Sequence, residues 1–307
     1  MPTNRLLARV QSMVADRRIR WAHDPQLWVE LFVTANLAIL VADIYIAHSV
    51  NHFQKTAEYI PLYFSIGAPV VLAVMIAVRW IGHFEAPWRD VGYMVGWLSV
   101  LVGVLYHLES RFFLDRTLKS LTYAAPFAAP LAYTGLGFLL LMNRMVYARS
   151  AEWARWVIFL ALGGFFGNFV LSLTDHASNG FFAKTEWIPV ISSALATGFL
   201  IVPLVLTVTR RFMDVCLIVM LTQAFVGVLR FWFHIQANLV EPGHSLFDRL
   251  VNGAPPMAPL LFPNLVGLAL IGMWALLPHL KETTPGRSWL GATYDWAHEG
   301  DNSGTGS

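Results

Sequence analysis

LWVELFVTANLAILVADIYIA, residues 27–47, is an apolar run whose only charged members are Glu30 and Asp43. A helix needs roughly 20 apolar residues to cross the hydrocarbon core of a bilayer, so this run has spanning length. It follows an Arg-rich segment and is too long for the apolar region of a cleavable signal peptide. The expectation is a first membrane span that stays in the protein.

Runs of the same kind recur along the chain, at approximately 61–82, 91–108, 121–143, 153–174, 188–208, 214–235 and 258–278. The predicted fold is therefore all-α, a polytopic transmembrane helical bundle of about eight spans. Composition agrees, with 56% hydrophobic and 13% charged residues among 307; a soluble domain carries about 25% charged residues. Trp28, Tyr63, Trp88, Trp153, Trp187 and Trp232 lie near span ends, where aromatic rings settle at the membrane–water interface. Hydropathy reveals no internal repeat. The net charge of +2 and the lack of a basic tract argue against nucleic acid as a partner. The single cysteine, Cys216, leaves no intrachain disulfide and no thiolate cluster.

Three regions are expected. Residues 1–24 form a basic amphipathic cytoplasmic leader, residues 25–280 the transmembrane bundle, and residues 281–307 a cytoplasmic tail that is partly disordered. Orientation follows from Arg and Lys, which accumulate on the untranslocated side. With the N-terminus inside, inner segments hold Arg5, Arg9, Arg17, Arg18, Arg20, Arg79, Arg89, Arg144, Arg149, Arg155, Arg210, Arg211, Lys281 and Arg287. Outer segments hold Lys55, Arg111, Arg116, Lys119, Lys184 and Arg249. Both termini are then cytoplasmic, in a multi-pass protein of the cell membrane. Pro126 and Pro130 predict a kinked or tightly packed fourth span. Ser245 followed by Asp248 predicts a helix start in the long outer loop.

That topology sends imidazoles to one face. His48 and His52 follow span one, His107 ends span three, His176 follows span five and His234 ends span seven, with His244 in the next loop. On a continuing helix, His48 and His52 project from one side and grip one ion. Their HxxxH resembles that of membrane hydroxylases and ceramidase-like hydrolases, but the rest of those families' histidine patterns is absent and no role carries over. With Asp175 and Glu109 beside them, the five histidines suggest a centre for zinc or iron, with copper a further candidate. The expected function is an integral membrane metalloenzyme acting on a lipid or another amphiphilic small molecule, with Asp175, Glu109 and Arg230 in catalysis. Alternatives are a haem- or quinone-binding subunit of a redox complex, and a metal-ion or proton transporter. Imidazoles at helix ends also occur simply because water solvates them.

Deeper polar residues share faces by helical arithmetic: Gln223, Arg230, His234 and Asn238 on span seven, Asn168, Ser172 and Asp175 on span five, Asn36 and Asp43 on span one. Interhelical hydrogen bonds are one role for such stripes; a ligand pathway is another. Arg230 and Asp43 fall at nearly the same calculated depth, so an ion pair between them is expected, with Asp175 as the alternative partner.

Overall fold

A computed structural model describes residues 23–50, 52–82, 85–104, 131–178, 180–240, 242–243 and 245–280. Residues 1–22 of the leader, the tail, His83, His107, Glu109, His244, His298 and the Pro126–Pro130 stretch lie outside these residues. Among the described residues every regular element is helical. In chain order they are α1 (Pro25–Ser49), α2 (Tyr59–Gly82), α3 (Glu85–Val104), α4 (Leu131–Met145), α5 (Ala151–Ser178), α6 (Trp187–Val205), α7 (Arg210–Val240), α8 (Leu246–Asn252) and α9 (Leu261–Leu276). Six of the helical segments are long and apolar enough to cross a membrane: those built on α1, α2, α5, α6, α7 and α9. Most of each of these six lies outside the protein core, as a lipid-facing surface requires. The chain is a multi-pass membrane protein.

Local chemistry accounts for several ends. Asp24 caps α1, its carboxylate accepting from the Gln26 amide at 3.0 Å, with Pro25 at the first helical position. Ser245 caps α8 by accepting from the Asp248 amide at 3.1 Å, so the predicted helix start is present. The predicted polar stripe on α7 faces inward: Gln223, Arg230 and Asn238 are all buried. Gln223 accepts from Ser192 on α6, and Asn36 on α1 forms a reciprocal amide pair with Asn264 on α9. These amides serve as interhelical fasteners.

Contrary to the hydropathy reading, the chain contains an internal repeat. His48, Phe53, Glu58, Ile60, Pro61 and Ser65 recur at one constant spacing as His176, Phe181, Glu186, Ile188, Pro189 and Ser193. Val102-Gly103-Val104-Leu105 recurs as Val226-Gly227-Val228-Leu229, and Ala129-Pro130-Leu131 as Ala258-Pro259-Leu260. The helices pair accordingly, α1 with α5, α2 with α6, α3 with α7 and α4 with α9. Packing repeats too. In the first unit α1 meets α2, α2 meets α3, α3 meets α4, and α4 returns to α1. In the second, α5 meets α6, α6 meets α7, α7 meets α9, and α9 returns to α5. Each unit is thus a closed four-helix ring, and contacts of α1 with α9 and of α4 with α5 join the two.

The elbows between α1 and α2 and between α5 and α6 show the repeat at atomic detail. The Phe53 amide donates to the His48 carbonyl at 3.2 Å and the His52 amide to Ser49 at 3.1 Å. Likewise Phe181 donates to His176 at 3.1 Å and Gly180 to Ala177 at 3.1 Å. This nested pair is a Schellman motif, which needs its next-to-last residue in the left-handed region, where glycine is preferred. The second unit supplies Gly180 at φ 70°; the first uses His52 at φ 52°. His52 therefore does not continue the helix of His48. It turns the chain, and the expected gripping pair on one helical face is not formed. Because a side chain in this conformation costs about 1 kcal/mol or more, His52→Gly should raise the melting temperature by a few degrees in a detergent melt. A drop would show that the imidazole is itself needed there.

Candidate polar centre at the elbow face

Each elbow places a histidine against a glutamate. The turn carries the chain back so that the short 3-10 segment before α2 or α6 ends beside the histidine in the last turn of α1 or α5. His48 Nδ1 lies 3.9 Å from Glu58 Oε2, and His176 Nδ1 lies 3.7 Å from Glu186 Oε2. Phe53 and Phe181, both at φ near +50°, stack on the first ring of the following helix: Phe53 on Tyr59 at 4.7 Å, Phe181 on Trp187 at 4.1 Å. A phenylalanine held in the left-handed region in both units, at a cost in backbone strain, marks a turn whose shape is over-determined by its surroundings.

In the second unit this dyad meets the polar stripe of α7. Arg230 Nη2 lies 2.8 Å from His176 Nε2 and 3.3 Å from His234 Nε2, and its Nη1 donates to the Thr185 carbonyl at 3.3 Å. A guanidinium only donates, so both Nε2 atoms must accept through their lone pairs. The proton of each imidazole is then on Nδ1. For His234 it points to the Pro255 carbonyl at 2.8 Å, and for His176 toward Glu186. Both imidazoles are neutral, in the same tautomer, with one fixed cation between them. Asn238, one turn further along α7, donates to the Ala254 carbonyl at 2.8 Å and ties down the loop that carries Pro255.

Of the sequence-predicted residues, this arrangement unites His176, His234 and Arg230. His48 belongs to the other elbow with Glu58, and His52 is a turn residue. Asp175 is exposed, one position along α5 from His176. His107 and Glu109 lie outside the described residues. Among the described residues, no three His, Cys, Asp or Glu side chains are grouped as a metal would need. The reason in this unit is plain: the two lone pairs that would bind an ion are used by Arg230.

The expected Arg230–Asp43 pair is corrected as well. Arg230 makes its hydrogen bonds to His176, His234 and the Thr185 carbonyl, all uncharged. Equal depth did not make the helices neighbours, since α7 packs on α6 and α9 whereas α1 packs on α2, α4 and α9.

A second polar cluster, at the opposite end, was missed by sequence reasoning. Arg144, counted above among the basic residues of the inner segments, has a wholly buried side chain 2.5 Å from Glu30. Asn143 donates to Glu30 at 3.2 Å and accepts from the Trp153 indole at 3.2 Å, and it exchanges hydrogen bonds with Gln26. The guanidinium groups of Arg79 and Arg144 lie 4.2 and 4.4 Å from the centre of the Trp88 ring. The repeat makes this cluster informative. Aligned on the elbows, Glu30 corresponds to Ile158; aligned on the Ala-Pro-Leu motifs, Asn143 corresponds to Gly272 and Arg144 to Met273. All three counterparts pack in the apolar core of the second unit, where a Cβ on Gly272 would come within 2.8 Å of Ile158.

No known protein family matches the chain, and neither a curated protein nor a solved structure does.

Proposed function

We propose that this is an integral protein of the cell membrane whose Arg230 centre opens at the outer face and holds the anionic group of an amphiphilic substrate, with His176 and His234 as its acid–base groups. The observation that carries this reading is a buried arginine whose hydrogen-bonding partners are all neutral. A charge at such depth normally marks a site or pathway, and a guanidinium fork matches carboxylate and phosphate geometry. When an anion takes the fork, the Nε2 lone pairs of His176 and His234 become available to accept a proton from the bound molecule. Glu186 on Nδ1 stabilises the resulting imidazolium of His176, the usual role of a carboxylate behind a histidine. The metalloenzyme reading, with zinc, iron or copper on His48, His52, His107, His176 and His234, needs Arg230 to leave, as does haem ligation by His176 or His234.

A transporter is the second reading, and the repeat favours it. With four crossings in each unit, the two units would run in the same sense through the membrane, as parallel repeats do in several carrier folds. Uptake of a labelled anionic amphiphile into proteoliposomes distinguishes transport from turnover at the same site.

Calorimetric titration of the detergent-purified protein tests the shared premise. A long-chain alkyl phosphate or carboxylate should bind saturably, and the alcohol of equal chain length should not. Equal binding of the alcohol would remove the anion from the account. For orientation, cysteines at Lys55 and Lys184 in a Cys216→Ser background should react with an impermeant reagent from outside, and cysteines at Arg149 and Arg210 should not. The reverse pattern would place the Arg230 centre in the cytoplasm.

A further inference from the structure

A separate cleft of about 670 Å³ lies at the first elbow, between the end of α1, the start of α2 and the short helix α8 contributed by the second unit. Its size is that of a small-molecule site. Four aromatic rings shape it. Tyr45 is 5.9 Å from Phe53 and 6.0 Å from Phe247, and Phe53 stacks on Tyr59 at 4.7 Å. Phe53 is held in place by the left-handed turn, so its ring is pre-positioned. The Asp248 carboxylate is also on the wall, braced by a 2.9 Å hydrogen bond from Asn252; His52 shares the lining, and among the described residues no Lys or Arg does. The C-terminal end of α1, with Ser49 and Val50 on the lining, adds the negative pole of a 25-residue helix.

Each of these features favours one class of ligand. Ring faces carry negative charge and attract cations, most of all alkylated ammonium groups that shed water easily. A carboxylate and a helix C-terminus add to the same sign. We propose that this cleft is a binding site for a quaternary or alkylated ammonium group, received either as a free organic cation or as the headgroup of a choline lipid at the membrane surface. The site is independent of Arg230, which binds the opposite charge on the second unit.

The test uses the full chain in a maltoside detergent. Choline should bind saturably by calorimetry, and its neutral isostere 3,3-dimethylbutan-1-ol at least about tenfold more weakly, the discrimination expected of cation–π recognition. Phe247→Leu, Tyr45→Leu and Asp248→Asn should each weaken choline about tenfold, whereas Phe247→Tyr, which keeps the ring, should not. A lipid source is read separately, by native mass spectrometry after reconstitution with mixed lipids. Phosphatidylcholine should be retained over phosphatidylglycerol by the unaltered protein and lost from Phe247→Leu. Either ligand, bound with this variant pattern, supports the site and identifies its source. Binding of neither, or equal binding of choline and its isostere, overturns it. Binding of an alkyl phosphate at Arg230 is unaffected by these variants, so the two sites succeed or fail separately.

Discussion

Arg144→Met should lower the melting temperature of the purified protein more than any other single change discussed, and Glu30→Ile nearly as much. Removing either partner strands the other as a buried, uncompensated charge, a loss of roughly 3–5 kcal/mol. The double variant Glu30→Ile/Arg144→Met should recover most of that loss. Replacing a buried ion pair by apolar residues of similar volume is often neutral or better, and this protein already contains the replacement: Ile158 and Met273 occupy the equivalent places in the second unit and are buried. Asn143 retains partners in Gln26 and Trp153 when Glu30 is lost, so the double variant leaves it satisfied. Thermal melts of the four proteins give the coupling energy directly. Additive losses would show that Glu30 and Arg144 act independently, and that the alignment of the two units does not extend to the ends opposite the elbows.

Arg230 carries the second large effect. Arg230→Leu should weaken an anionic amphiphile by about a hundredfold, since a hydrogen bond to a charged group contributes roughly 1.5–3 kcal/mol and each 1.4 kcal/mol is a factor of ten. Arg230→Lys keeps the charge but loses the fork, and should recover part of the affinity. The fold should tolerate these changes better than those at Arg144. The atoms that Arg230 hydrogen-bonds are neutral acceptors, and it attracts the Glu186 carboxylate without a direct ion pair, whereas Arg144 is in direct contact with a carboxylate that is 1% exposed. Calorimetry with an alkyl phosphate reads the affinity, and a melt of the same samples reads the fold. Unchanged affinity in Arg230→Leu would detach the anion from this residue.

Much of this was legible in the sequence, for physical reasons that also mark where legibility ends. Spans are readable because the thickness of a bilayer sets their length, and the runs at α1, α2, α5, α6, α7 and α9 meet that length. The inward stripe of α7 was readable because spacings of four and seven return to one helical face. Which partner that stripe meets was not. It depends on which helices are adjacent, and His176 stands 54 residues from Arg230 in sequence. Depth alone suggested Asp43.

His52 was misplaced for a related reason. Helical spacing assumes that the helix continues, while the Schellman turn at His52 ends it, and no glycine at that position gave warning. The counterpart at Gly180 would have given it, had the repeat been seen. Spanning segments hide a repeat because lipid accepts almost any apolar residue. The elbow, where His, Phe and Glu each have a geometric task, kept the longest part of its pattern. The burial of Arg144 was not foreseen because a count of basic residues by side names no partners, and Glu30 had no visible reason to be one.

Native mass spectrometry of the intact protein, released from a neutral detergent, addresses the Arg230 centre most directly. The account predicts a bound mass corresponding to an anionic amphiphile, absent from Arg230→Leu and weakened in His176→Phe, with no adduct of transition-metal mass that depends on the histidines. A stoichiometric metal adduct that persists in Arg230→Leu and disappears in both His176→Ala and His234→Ala would contradict it.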